Sequence, residues 1–170
     1  MMIAQSAAGP AAAGEFLRAH PCELFVETPG DRCLALLSDE GRGEAGWTFT
    51  PVEPRFERGR CGPAAGEWLF CVGMGVPQSE RQAFLEWYER EHLPILLECP
   101  TWDGCRFVEA QALESCRFYA LHQLSDRSAL ESAERARSRT GRAFERLKLF
   151  SWFDEPFTRT LYRRFEPGAR

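Results

Sequence analysis

"EWLFCVGMGVPQSERQAF", residues 67–84, is the stretch on which the fold turns. Residues 67–76 form a near-continuous apolar, β-leaning run, and Pro77 ends it, so this segment reads as a strand. Ser79 followed by Gln82 gives the capping-box pattern, so a helix starts there and extends to about Arg90–Leu97. Pro94 kinks or ends that helix, because proline lacks the N–H and its ring meets the carbonyl four residues back. Downstream, "CPTWDG" (99–104) reads as loop. "CRFVEAQAL" (105–113) and "CRFYALHQL" (116–124) read as two strands around a tight turn at Glu114–Ser115. "SDRSALESAERARS" (125–138) is a second helix, with Ser125 or Asp126 as its cap, and Gly141 breaks it before "AFERLKLF". "PFTRTLYRRF" (156–165) alternates as a closing strand does. The order β-α-β-β-α-β over residues 66–170 is the ferredoxin-like split βαβ unit, an α+β fold.

Residues 1–65 are open to two readings, a degenerate ferredoxin-like repeat or an N-terminal extension. "LFVETPGDRCLALLSDE" (24–40) parallels "RFVEAQALESCRFYALHQLSDR" (106–127) in its Phe-Val-Glu, its turn, its Cys and its Leu-Ser-Asp. "EFLRAHP" (15–21) parallels "EWYEREHLP" (86–94), and "WTFTPVEPRFERG" (47–59) parallels the closing strand. In the repeat reading "GRGEAG" (41–46) replaces the second helix and "RGRCGPAAG" (58–66) is the linker.

A chain of 170 residues supports one compact domain or two small fused units. Its net charge of −4 gives no electrostatic case for a nucleic acid or an anionic membrane as partner. No run approaches the roughly 20 apolar residues of a membrane span, and the N-terminus lacks the basic start and apolar run of a signal peptide. The seven cysteines have neither CxxC spacing nor paired Cys/His spacing, so no metal site is expected. They suit reduced thiols in a cytoplasmic protein, mostly as small core residues. "GMG" (73–75) lacks the context of a phosphate loop, so these glycines permit a bulge or a close approach. Arg135, Arg139, Arg142 and Arg146 have helical spacing and suit a solvated face paired with Glu131 and Glu134.

"FLEWYEREHLPILLECPTWDGCRFVEA" (84–110) resembles the dimeric α/β-barrel superfamily, near its EthD-like and antibiotic-monooxygenase-like members. Trp87-Tyr88, His92 and Pro94 carry most of the resemblance, which covers about residues 67–165. It implies two ferredoxin-like sheets packed into a barrel with helices outside, from a homodimer or, if residues 1–65 are a repeat, from a pseudo-dimeric monomer. It further implies a small-molecule substrate bound between a sheet and its helices. Superfamily members include cofactor-independent monooxygenases, cyclases, dehydratases, decarboxylases and isomerases. No cofactor is expected on this reading. A non-catalytic binding or accessory protein, or heme binding through His92, are the alternatives.

On a helix, residues four apart share a face, so Tyr88 and His92 point together, with Phe84 one turn earlier and Trp87 and Glu91 beside them. His92 can exchange protons near neutral pH, Tyr88 can donate to a carbonyl or enolate oxygen, and Glu91 can orient the imidazole if Pro94 bends the chain. A histidine near a helix end can equally bond free carbonyls, and Tyr88 can equally be core. Phe107, Glu109 and Gln111 are expected to look into the barrel, with Val108, Ala110 and Ala112 under the helices. Of the faces of 116–124, one carries Phe118, Ala120 and His122 and the other Tyr119 and Gln123, and alternation does not choose between them. His122 reads as a structural histidine, and Trp68, Phe70 and Met74 as a pocket wall or plain core.

Overall fold

The computed structural model describes residues 1–7, 9–38, 46–110, 115–154 and 156–166. Among them, nine strands form one sheet in the order β4-β1-β3-β2-β9-β6-β8-β7-β5. The strands are β1 (Met2–Ser6), β2 (Cys22–Glu27), β3 (Cys33–Leu37), β4 (Trp47–Pro51), β5 (Glu53–Gly59), β6 (Trp68–Pro77), β7 (Trp102–Ala110), β8 (Ser115–Leu124) and β9 (Thr158–Arg164). The helices are α1 (Gly9–Ala19), α2 (Arg81–Trp87), a π segment (Tyr88–His92), α3 (Leu93–Leu96), α4 (Ala133–Arg137), α5 (Arg142–Leu147) and α6 (Ser151–Asp154), with 3₁₀ turns at Gln78–Glu80 and Arg127–Glu131.

The order resolves into two blocks, β4-β1-β3-β2 and β9-β6-β8-β7, each with the antiparallel arrangement of a ferredoxin-like unit. β2 joins β9 across one boundary, from Phe25 opposite Arg164 to Glu27 opposite Tyr162. β4 and β5 stand at opposite ends of the order, yet only Val52 separates them in the chain. β4 pairs with β1 while β5 pairs with β7, so the sheet closes on itself as a barrel. Pro54 cannot donate to a ladder, and the register shifts between Pro54 and Phe56 where the chain passes from one block to the other.

Both faces of this sheet are buried. Ile3, Phe25, Leu34, Leu69, Val108 and Leu121 pack inside the barrel. Phe70, Phe84, Tyr88, Phe107, Phe118 and Leu147 pack between the second block and its helices. On the first block's outer side Phe16 of α1 stacks on Trp47 at 3.9 Å, with His20 4.6 Å from Phe16. Gly73 sits where β9 crosses closely: a Cβ there would lie 2.4 Å from the Phe157 ring.

Several expectations need correction. β1 was not anticipated: it is five residues long and carries polar Gln5 and Ser6, so it lacks a clear apolar run. The segment 47–59 is two strands serving different blocks, not one closing strand. Ser79 makes no capping bond. The chain enters α2 through a 3₁₀ turn, and Gln82 bonds Glu86 instead. The helix over 125–138 is interrupted at Ser132, whose hydroxyl caps α4 by accepting from the Arg135 N–H. β7 begins at Trp102 rather than Cys105, so "CPTWDG" is only partly loop. The turn at Glu114, together with Gln111, Ala112 and residues 41–45, lies outside the described residues.

Candidate active site

Pro94 does not end the helix. It has no N–H for the Arg90 carbonyl, and its ring would strike that group in a regular α-turn. The chain widens instead: the Leu93 N–H reaches back to the Tyr88 carbonyl, and α3 continues to Leu96. The widened turn holds the rings of Tyr88 and His92 4.9 Å apart, with Trp87 4.6 Å from His92. All three border a cavity of about 150 Å³ between the second block and its helices. Phe70, Val72 and Met74 of β6 form its sheet side.

The hydrogen bonds fix where the protons are. The indole N–H of Trp102 donates to His122 Nδ1 at 3.1 Å, and an indole nitrogen can only donate. Burial, then the neighbouring His92 and Arg135, hold His122 well below the usual histidine range, so it is neutral. Its single proton is therefore on Nε2, which donates to the Tyr88 hydroxyl oxygen at 2.7 Å. The hydroxyl hydrogen of Tyr88 is then free for another acceptor. Burial above all keeps this phenol protonated far beyond neutral pH.

His92 is arranged the opposite way. Its Nδ1 donates to the Ser138 carbonyl at 2.9 Å, so in the neutral ring Nε2 carries the lone pair. Burial lowers its pKa to about 4, with Arg139 and Arg135 adding to the effect against the Ser138 bond. This has a consequence for stability. An unfolded histidine titrates near pH 6.5, so between pH 6.5 and about 4 the unfolded chain binds more protons than the folded one. The stability associated with neutral His92 is complete above pH 6.5 and is lost as pH falls, approaching about 3 kcal/mol by pH 4. Urea unfolding across this window should show the loss, and His92→Gln should reduce it, leaving the part that buried His122 contributes in the same direction. An unchanged slope in that variant would assign the loss to other groups.

The other anticipated residues separate. Trp87 and Tyr88 line the cavity; Phe84 lies behind Tyr88 at 5.7 Å and Phe107 at 4.6 Å, both as packing. Phe107 faces the helices, while Val108 and Ala110 face the barrel, the reverse of the expected orientation. Glu91 is exposed, and the Ser138 carbonyl holds the imidazole in its place. Glu109 is buried away from the cavity, bonded to Arg55 at 2.5 Å and Arg81 at 2.7 Å. Tyr119 faces the barrel interior, with its ring 5.2 Å from Phe157. Trp68 stands outside the cavity under the Arg163 guanidinium, 5.7 Å away. His122 is structural in that both nitrogens are bonded, yet it also orients Tyr88.

Trp102, Arg135, Arg139, Asp154 and Arg159 line the cavity and were not anticipated there. Arg135 and Arg139 had the helical spacing that could have marked them, but Arg135 turns over the Phe70 ring at 5.9 Å instead of pairing on a solvated face. Among the described residues no group of three or more His, Cys, Asp or Glu is placed to hold a metal ion. Burial raises Cys71 to about 12 and pushes Cys105 up as well, so neither is a ready thiolate. A larger cavity, about 630 Å³, opens between Phe56, Phe107, Leu36 and Pro21. Its arginine 106 is committed to Glu23 at 2.5 Å and Glu57 at 3.1 Å, bonds that tie the two blocks together.

No protein-family model matches the chain, and no curated protein matches it. Solved structures do. A ferredoxin-fold protein related to antibiotic biosynthesis monooxygenases, from Listeria monocytogenes, superposes with a TM-score of 0.63 at 11% identity, covering 98% of this chain and 95% of the other. The shared fold is the ferredoxin-like α+β fold. The barrel is shared with an anthrone oxidase-like protein (TM-score 0.63, 10% identity, 97% and 90% covered). It is shared too with a heme-degrading enzyme of Listeria monocytogenes (TM-score 0.62, 11% identity, 96% and 99% covered). The barrel matches span nearly the whole chain, first block included. Among its described residues, no helix is long and apolar enough to cross a membrane.

Proposed function

We propose that the cavity beside the π segment is a catalytic centre for cofactor-independent proton transfer on an oxygen-bearing aromatic small molecule. One observation carries this reading: His92, with its Nε2 lone pair unused, and Tyr88, with its hydroxyl hydrogen unused, line one cavity with their rings 4.9 Å apart. His92 takes a proton from an acidic O–H, or from a C–H beside a carbonyl, and negative charge moves onto the substrate oxygen. Tyr88 donates to that oxygen as the charge develops, and His122 and Trp102 keep its hydrogen aimed. The electron-rich anion then suits cyclisation, dehydration, isomerisation or decarboxylation, or oxygenation with dioxygen as co-reactant. The names of the solved neighbours, monooxygenase-related and anthrone oxidase-like, support oxygenation. Closure of the barrel within one chain supports a pseudo-dimeric monomer with one working centre.

The same residues fit heme only in part. His92, with Nδ1–H on a carbonyl and Nε2 free, has the arrangement of an axial ligand. The cavity, however, has room for about one benzene-sized ring, and a porphyrin does not fit it. The larger cavity has no histidine in its lining.

The test is turnover of single-ring phenolic compounds, followed by oxygen uptake and mass spectrometry of products. Tyr88→Phe should lower kcat by about 100-fold with little change in KM, the signature of a donor that acts on developing charge. Tight binding without turnover by the unaltered protein would make it a binding protein and end the catalytic reading.

A further inference from the structure

Three guanidinium groups converge on the cavity that holds His92 and Tyr88. Arg135 comes from α4, Arg139 from the segment that follows it, and Arg159 from β9. Asp154 is the one carboxylate in the lining, against these three cations, and both histidines are neutral. Among the described residues none of the three arginines forms an ion pair; Arg135 donates to the Leu130 carbonyl and lies over the Phe70 ring. Like charges gathered beside an apolar wall repel and favour a bound counter-charge. Burial and their mutual repulsion hold Arg135 and Arg139 below the usual arginine range, although both remain protonated. One further donor waits in the lining: the indole N–H of Trp87 has no partner, and that residue is 4% exposed.

The rest of the lining is mostly aromatic, with Val72, Met74 and Leu96. Phe70, Trp87, Phe144 and Phe153 enclose a volume of about 150 Å³, which suits one six-membered ring. A planar carboxylate matches the fork of a guanidinium and takes two hydrogen bonds at once.

We infer that the substrate is a single-ring aromatic carboxylate, its carboxylate held by Arg135, Arg139 and Arg159 and its ring enclosed beside Trp87 and Phe70. The inference rests on the reading of this cavity as the substrate site. The arginines anchor the acid group, and the ring's hydroxyl or carbonyl then lies on the His92–Tyr88 wall, where the proton moves. Fixing the negative end separately also keeps the carboxylate from occupying the place of the developing oxyanion.

Calorimetric titration tests this with benzoate, 2-hydroxybenzoate, benzamide, benzyl alcohol and inorganic phosphate, at low and high salt. The two carboxylates should bind at least about tenfold more tightly than benzamide, with affinity falling as salt rises. The double variant Arg139→Gln/Arg159→Gln should remove that preference, bringing benzoate down to the affinity of benzamide. Both side chains are exposed at the rim, so the fold is expected to survive the change. Benzamide bound as tightly as benzoate would overturn the carboxylate assignment and leave the aromatic site standing. Phosphate bound as tightly as benzoate would overturn the ring and mark a plain anion site. Failure of every aromatic compound to bind would overturn the substrate-site reading itself.

Discussion

Replacing His92 with alanine is expected to lower kcat by about 10²- to 10⁴-fold while the chain stays folded. The reason is positional. His92 Nδ1 is occupied by the Ser138 carbonyl, so the ring presents one lone pair, at Nε2, with the Tyr88 ring 4.9 Å away. Removing the ring removes the acceptor and leaves the donor intact, so substrate still binds but loses its base. The Ser138 carbonyl loses its partner, a cost of about 1–3 kcal/mol that a folded domain can carry. Circular dichroism and a melting curve separate that cost from the catalytic loss. Added imidazole, small enough for the vacated space, should restore part of the rate. Full turnover by the alanine variant would exclude His92 as the base.

Phe84→Ala destabilises the protein by about 3–5 kcal/mol, the largest stability effect expected from a single side chain near the cavity. Phe84 is fully buried, and its ring meets Trp87, Tyr88, Phe107, Phe118 and Trp152 at centroid distances between 5.5 and 6.1 Å. It ties the helix that carries Tyr88 and His92 to β7 and β8 beneath it. The void left by truncation sits directly behind Tyr88, so the same variant should loosen the Tyr88–His122 bond and lower kcat as well. Urea unfolding gives the first effect. A cost below about 1 kcal/mol would mean the helix layer closes the gap and that Phe84 is not the pin.

Much of this was legible in the sequence because it is local. Strand β6, the helix after it, the 105–124 hairpin and the closing strand each carry their own apolar period, and their order names the ferredoxin-like unit. Tyr88 and His92 were legible as neighbours because three intervening residues put both on one side of a helix. The partners of these residues were not legible, since they come from far along the chain. His122 meets Tyr88 across 34 residues and Ser138 meets His92 across 46, and no local pattern encodes such pairings. Glu91 was a reasonable orienter from its adjacency, yet a backbone carbonyl from the next helical layer took that role. Arg135 and Arg139 read as a wet stripe because their spacing says which residues share a side, not what that side faces.

The sequence by itself determined the element order, the pairing of Tyr88 with His92, and the place where the helix had to deviate. Pro94 lacks an N–H wherever it is put, so the disruption was inevitable. That it became a π segment rather than an end was decided by packing, because Leu93 and Leu96 are buried and hold the chain in helical form beyond it. Tertiary structure alone decided which face of each strand meets the helices. In a closed barrel both faces are apolar, so alternation separates Phe107 from Val108 but gives neither a preference. The choice belongs to the closure, in which two blocks share one sheet and only the assembled barrel distinguishes its inside from its outside.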